Sequence, residues 1–176
     1  MPRVSPSLPL SLLAIAFGAS LALPAVSQPR SPAPAAARKE GPVSRRATGT
    51  FEVVLTPQAT EAGPGVARMS IAKKLHGELE ATSRGEMLAA STSVKGSAGY
   101  VAIEHVAGTL HGQEGTFVLQ HTGTMTRGAP SLAVTVVPDS GTGKLTGLSG
   151  TMAIRIEDGE HFYDFEYSIA PALSAR

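Results

Sequence analysis

Two tyrosines, two histidines and one glutamate have the types and spacing to form a polar group inside the fold: Tyr100, Glu104, His121, His161 and Tyr163. Each occurs where apolar and polar residues alternate, a pattern typical of a β-strand whose alternate side chains share a face. A carboxylate near an imidazole and a phenol can orient a ligand or move a proton, since histidine titrates close to neutral pH. We therefore expect these five to be candidate ligand-binding residues, and we assign no catalytic residue.

A purely structural role is the alternative. His121 and His161 would then lie at the rim of the fold, bonded to backbone groups or to Glu104, because buried polar groups are normally satisfied. Tyr163 would pack its ring and leave its hydroxyl in water. The segment 99–110 leaves open which side faces inward, since both of its sides are half apolar.

Other kinds of site are excluded or disfavoured. The chain has no cysteine, which excludes disulfides, thiolate nucleophiles and iron–sulfur clusters. The spacing of His105, His111 and His121 does not bring imidazoles onto one ion, so we expect no metal and no cofactor. The run 140–145 is similar to a phosphate loop, but Leu145 stands where that loop needs Ser or Thr, so we expect a solvated turn.

Charge and composition favour a non-nucleic-acid role. The 176 residues carry a formal net charge of +1, with 42% apolar and 16% charged residues. A protein that binds the phosphate backbone concentrates Lys and Arg on one face, so we expect no nucleic-acid partner. Lys73 and Lys74, followed by Glu78 and Glu80, are predicted to be solvated faces of two early strands.

The first part of the chain is predicted to direct export and then to be removed. Residues 8–23 are mostly apolar, and the small residues Ala25 and Ser27 fit a signal-peptidase site, so 1–27 is a predicted signal peptide cleaved after Ser27. We expect a secreted or periplasmic protein without stable membrane insertion. Residues 28–47 are rich in Pro, Ala and Arg and are predicted to form a disordered tether.

The remainder, 48–170, is predicted to be one all-β domain, followed by a short tail, 171–176. Periodicity of two between glycine-rich breaks predicts about eight strands: 49–56, 66–75, 79–91, 99–110, 115–126, 131–138, 148–157 and 160–169. The connections are too short for crossover helices, so the sheet is antiparallel. Because closure removes sticky edges, we predict an eight-stranded closed barrel, with a two-sheet β-sandwich as the alternative.

Glycine-punctuated motifs carry a resemblance to a known family. They are Gly99-Tyr100-Val101 with Glu104, Gly108-Thr109-Leu110-His111-Gly112, Gly115-Thr116-Phe117-Val118-Leu119-Gln120-His121, Gly123-Thr124-Met125, Val137-Pro138-Asp139-Ser140-Gly141-Thr142-Gly143, and the closing Gly159, His161, Tyr163 and Tyr167. In order and spacing these resemble a bacterial family of unknown function, domain of unknown function 3224. The resemblance implies an antiparallel barrel similar to that of allene oxide cyclase and implies no activity.

An exported barrel without a catalytic motif is expected to bind a small apolar ligand in its interior. Two alternatives stay open. One is a homo-oligomeric interaction module that packs through an outer face such as Val101, Ile103 and Ala107. The other is an enzyme resembling the cyclase or an isomerase, which would rest on fold analogy alone.

Overall fold

Eight antiparallel strands form one closed barrel in residues 43–170, the part of the chain that the computed structural model describes. The strands follow one another around the barrel in chain order: β1 (Arg45–Gln58), β2 (Val66–Gly77), β3 (Leu79–Ser91), β4 (Ala98–Leu110), β5 (Gln113–Thr126), β6 (Ala129–Val136), β7 (Leu148–Glu157) and β8 (Glu160–Ile169). The predicted all-β closed barrel is confirmed, and the β-sandwich is wrong. The predicted signal peptide, the tether up to residue 42 and the tail lie outside the described residues.

The first strand begins earlier than predicted. β1 starts at Arg45, inside the range 28–47 assigned to the tether, and pairs with β8 as far as Phe51. Ala47 is fully buried opposite Phe165. A small apolar side chain fits that position, so the barrel recruits residues that composition alone placed in the tether.

Three two-residue turns join strands of the barrel. Asp158-Gly159, the turn predicted between β7 and β8, has φ values of 52° and 86°. His111-Gly112 and Arg127-Gly128 likewise have positive φ at both residues. These values fit the type I′ turn, whose twist matches that of an antiparallel hairpin. Glycine at the second position therefore sets three of the tight connections.

One end of the barrel, here called the closed end, is filled by packed side chains. Phe117 and Phe165 stack with centroids 5.8 Å apart, and Phe165 stacks on Tyr167 at 5.3 Å. A short 3-10 helix, Gly143–Leu145, brings Leu145 to complete burial there. The segment 140–145, predicted to be a solvated turn, does expose residues 142–144, but its one large apolar side chain enters the core and helps to close this end.

The other end, here called the open end, is unfilled. Four large apolar side chains that point inward there are 42–65% exposed: Leu55, Met125, Leu132 and Ile156. The wall is also incomplete at this end, because β6 and β7 form a single register pair, Thr135 with Thr151. We call the unpaired stretch between these two strands the seam.

Candidate functional site

A buried polar cluster lies inside the barrel around Glu104. Its Oε1 atom accepts a 2.6 Å hydrogen bond from Lys73 Nζ, and its Oε2 atom accepts one of 2.6 Å from Ser83 Oγ. His121 Nε2 lies 2.9 Å from the same Oε1 atom that Lys73 binds. We call Lys73, Ser83, Glu104 and His121 the buried cluster.

Strand register explains how these side chains meet. Lys73 pairs with Ser83 across β2 and β3, and Glu104 lies opposite Gly85 on β3. A Cβ atom at position 85 would lie 2.8 Å from Glu104 Cγ. Because glycine leaves that space empty, the glutamate leans across β3 and reaches the lysine on β2, which is not its neighbouring strand.

His121 stands opposite Ala102 and is 3% exposed. Although its Nε2 atom is 2.9 Å from Glu104 Oε1, no hydrogen bond of normal geometry forms, so the oxygen lies away from the N–H direction. The short contact with a carboxylate oxygen favours the tautomer that carries the proton on Nε2, because a bare nitrogen at this distance would repel the oxygen. In this tautomer the cluster holds a buried donor without a hydrogen-bond partner among the described residues.

Glu104 is ionised despite its burial. Burial by itself raises the pKa of this carboxyl, but the contact with His121, the charge and hydrogen bond of Lys73 and the Ser83 hydroxyl outweigh it. Together they lower the pKa from its ordinary value of 4.5 to about 2. The pair of Lys73 and Glu104 is therefore close to neutral as a unit, while its donors remain directed into the barrel.

An apolar cup lies at the open end above this cluster. It has a volume of about 300 Å³, and the inward-facing residues that line it are Met87, Ala89, Tyr100, Gly123, Met125 and Leu132. The Tyr100 ring lies against Gly123, where a Cβ would come within 2.1 Å of its Cε1 atom. Burial, and then the charge of Glu104, raise the pKa of Tyr100.

His161 and Tyr163 occupy different places from the cluster. The His161 ring packs against Phe51 in a tilted arrangement, with centroids 5.0 Å apart, and the Phe51 face lies 5.0 Å from Lys73 Nζ. Both rings line a separate depression of about 410 Å³. The Tyr163 hydroxyl accepts a 2.9 Å bond from Leu79 N and donates to the His76 carbonyl. The structure thus joins Glu104 to His121 with Tyr100 close by, and it gives Tyr163 a backbone-bonding role elsewhere.

The chain is similar to proteins of a family whose function is unknown. A family described as protein of unknown function (DUF3224) matches residues 47–167. The chain belongs to the DUF3224 family. A crystal structure of a DUF3224 protein of unknown function from Shewanella oneidensis MR-1 is 56% identical and covers 74% of this chain and 100% of its own, with a TM-score of 0.71. No curated protein matches.

Sequence reasoning missed two members of the cluster in this DUF3224 barrel. Lys73 was assigned to a solvated face, but its side chain is only 11% exposed, and Ser83 was not singled out. The alternation along each strand gave a signal of their burial. Lys73 is two residues from the buried Leu75, and Ser83 is two residues from the buried Ala81, so each shares the inward face of its neighbour. A lysine on that face needs a counter-charge, which Glu104 provides from a strand that local pattern could not connect to it.

Across residues 43–170, no three His, Asp or Glu side chains are grouped as metal ligands. Within the same range, no helix has the length and apolar character needed to cross a bilayer. The polar groups near the apolar cup are the ammonium of Lys73, the carboxylate of Glu104, the imidazole of His121 and the phenol of Tyr100.

Proposed function

We propose that this protein is an exported barrel that binds a small, mostly apolar molecule in the cup at its open end. The observation that carries the proposal is the exposure of large apolar side chains on the inward faces of the strands. Leu132 is 43% exposed and Met125 is 42% exposed although both point into the barrel and line the cup. Inward faces of a small barrel are normally filled by side chains or by one ligand.

A ligand in the cup removes this apolar surface from water, which contributes about 25 cal/mol per Å². The cup volume of about 300 Å³ is at the small end of ligand pockets, which span roughly 300–1,000 Å³. Ligands of drug size would extend past the rim or into the seam. The cup is therefore suited to a compact or narrow apolar molecule.

Export of the chain is the second part of the proposal. The apolar run in 8–23 and the small residues before the predicted cleavage site direct the chain to the periplasm or the medium. Fractionation of the native host, with N-terminal sequencing of the mature protein, tests this. A mature chain that begins at Gln28 supports export, and an uncleaved chain found only with cytosolic markers contradicts it.

Binding is tested with N-phenyl-1-naphthylamine, an uncharged fluorophore that brightens in apolar surroundings. Leu132 and Leu88 make a matched pair, because they are 43% and 44% exposed but point to opposite faces of the wall. Leu132→Gln is expected to weaken probe binding several-fold and Leu88→Gln to leave it unchanged. The reverse result, or no probe binding at micromolar protein, overturns the proposal.

A homo-oligomeric module is the second candidate, favoured by an apolar groove on the outer face. The groove has a volume of about 520 Å³ and includes Leu88, Val101 and Ile103. The exposed ion pair of Arg68 and Glu86, with 2.6 Å bonds, borders it. If the twofold axis of a dimer crosses the groove, Arg68 of one copy can pair with Glu86 of the other, because both charges border the groove.

Light scattering tests this second candidate. Wild-type protein is expected to dimerise at high concentration and Ile103→Glu to be monomeric, because a carboxylate would be buried in the interface. A strict monomer in both proteins contradicts it. Probe binding in the Ile103→Glu variant shows whether the cup functions independently of assembly.

A further inference from the structure

We infer that the ligand in the cup carries an oxygen acceptor at its inner end, which hydrogen-bonds to the donors of the buried cluster, His121 and Lys73. This inference rests on the proposed function and narrows its ligand class. The ligand is then an apolar chain or ring that ends in a carbonyl or carboxylate oxygen, and not a plain hydrocarbon.

The first step of the argument is the unsatisfied donor. His121 Nε2 is buried and makes no hydrogen bond of normal geometry within residues 43–170. Leaving a buried donor unpaired is energetically unfavourable. An acceptor oxygen arriving from the cup would remove this cost, whereas a hydrocarbon would leave it in place.

The second step is whether the buried cluster favours a ligand that accepts a hydrogen bond or one that donates it. The two oxygens of Glu104 already accept bonds from Lys73 and Ser83, so a ligand donor would find acceptors that are already bonded. A ligand cation would also meet the ammonium of Lys73, which carries three N–H donors of which Glu104 takes one. The cluster therefore recognises an acceptor and disfavours a donor or a cation.

The third step is the path from the cup. His121 lies two residues below Gly123, a cup residue, on the same face of β5, which is about 7 Å along the strand. Ala102 stands opposite His121 and leaves space beside the imidazole. The Tyr100 ring lies against Gly123 in the wall of the cup and is only partly buried. Rotation of this one side chain is the movement that would open a path from the cup to the donors.

The experiment compares three probes of one chain length, nonane, 2-nonanone and nonanoic acid, as competitors of N-phenyl-1-naphthylamine on the mature protein. The inference expects an oxygenated probe to compete about tenfold better than nonane, the effect of one well-made hydrogen bond. The ketone and acid arms tell a neutral carbonyl from a carboxylate. Equal competition by all three overturns the inference and leaves the proposed function standing.

Variants locate the effect. His121→Phe is expected to abolish the preference for oxygenated probes while nonane competes as before, and Lys73→Met is expected to reduce it. His105→Phe, an exposed histidine on the outer face of β4, is the matched control and is expected to keep the preference. Retention of the preference in both cluster variants overturns the inference.

Nitrogen NMR of the wild-type histidines gives a measurement that does not depend on folding of the variants. Addition of 2-nonanone is expected to shift the Nε2 signal of His121, and nonane is expected to leave it in place. An Nε2 signal that stays unchanged on saturation with the ketone and on saturation with nonanoic acid overturns the inference. If none of the three probes displaces the fluorophore, the proposed function itself has failed.

Discussion

Gly85 and Glu104 lie opposite each other on β3 and β4, and the arm of Glu104 occupies the space that a side chain at position 85 would need. The glutamate reaches Lys73 on β2 only by crossing this gap. The buried cluster therefore depends on a residue that contributes no side chain to it.

The change Gly85→Ala should be strongly destabilising. The added Cβ would lie 2.1 Å from the Ile103 carbonyl oxygen and 2.8 Å from Glu104 Cγ, so the neighbouring strand must move. Overpacking of this kind costs about 1–3 kcal/mol, which urea unfolding measures. Gly99→Ala is the control, because its nearest contact would be an ordinary 3.7 Å; equal losses in the two variants would contradict the explanation.

Removing the charge of Glu104 should also destabilise the barrel. Glu104→Gln leaves Lys73, which is 11% exposed, without its counter-ion, and breaking a buried pair costs about 3–5 kcal/mol. Chemical denaturation at pH 7 measures the loss. Glu86→Gln, which breaks the exposed pair with Arg68, is the control and should cost far less. A Glu104→Gln variant as stable as wild type would show that the cluster is not a stabilising pair.

The same variant should change the acid dependence of stability. The pKa of Glu104 is lowered from 4.5 to about 2 in the folded chain, so its ionised form stabilises the fold fully above pH 4.5 and less as pH falls toward 2. The difference in unfolding free energy between wild type and Glu104→Gln should therefore shrink over that interval. A difference that stays constant from pH 5 to about pH 2 would contradict the lowered pKa.

Hydrogen exchange should reveal the seam. β6 pairs with β5 along its length but with β7 only at Thr135 and Thr151. Alternate amides in 129–134 then point toward β7 without a strand partner and should exchange much faster than their neighbours. The amides of β4, which is paired along both edges, serve as the internal reference. Uniform protection across β6 would show that the seam is closed in solution.

Tyr100 and Tyr163, the two tyrosines predicted to bind ligand, should differ in the effect of substitution on probe affinity and on stability. Tyr163→Phe removes the acceptor for the Leu79 N–H and should cost about 1–3 kcal/mol of stability, with unchanged probe affinity. Tyr100→Ala should weaken probe binding, because its ring lines the cup, with a smaller loss of stability. A reduced probe affinity in Tyr163→Phe would instead show that Tyr163 contributes to ligand binding.

The strands and the closed barrel could be predicted from the sequence, because strict alternation and turn dipeptides such as Asp158-Gly159 are local signals. The sequence left the face of β4 open, since Val101 and Ile103 are as apolar as the residues on the other side. The structure resolves this by leaving both about half exposed on the outer wall and burying Glu104. Only closure of the barrel decides which apolar face meets the core.

The cluster could be predicted only in part for a related reason. Alternation along the strands predicted that His121 and Tyr163 face inward. It does not give the position of a residue along the barrel axis, so it could not predict that the two lie apart and contact different residues. The burial of Lys73 depends on Glu104 leaning over Gly85 from a strand further along the chain. Such a contact between strands that are not neighbours leaves no local pattern.

The burial of Leu145 at the closed end determines how a bound ligand would leave the barrel. Under the proposed function, a ligand would enter and leave through the open end or the seam, because Leu145 and the aromatic rings fill the opposite end. The oxygen-bearing end of a bound ligand would then lie deepest and its apolar end nearest the rim. On release, the apolar end would leave the barrel first.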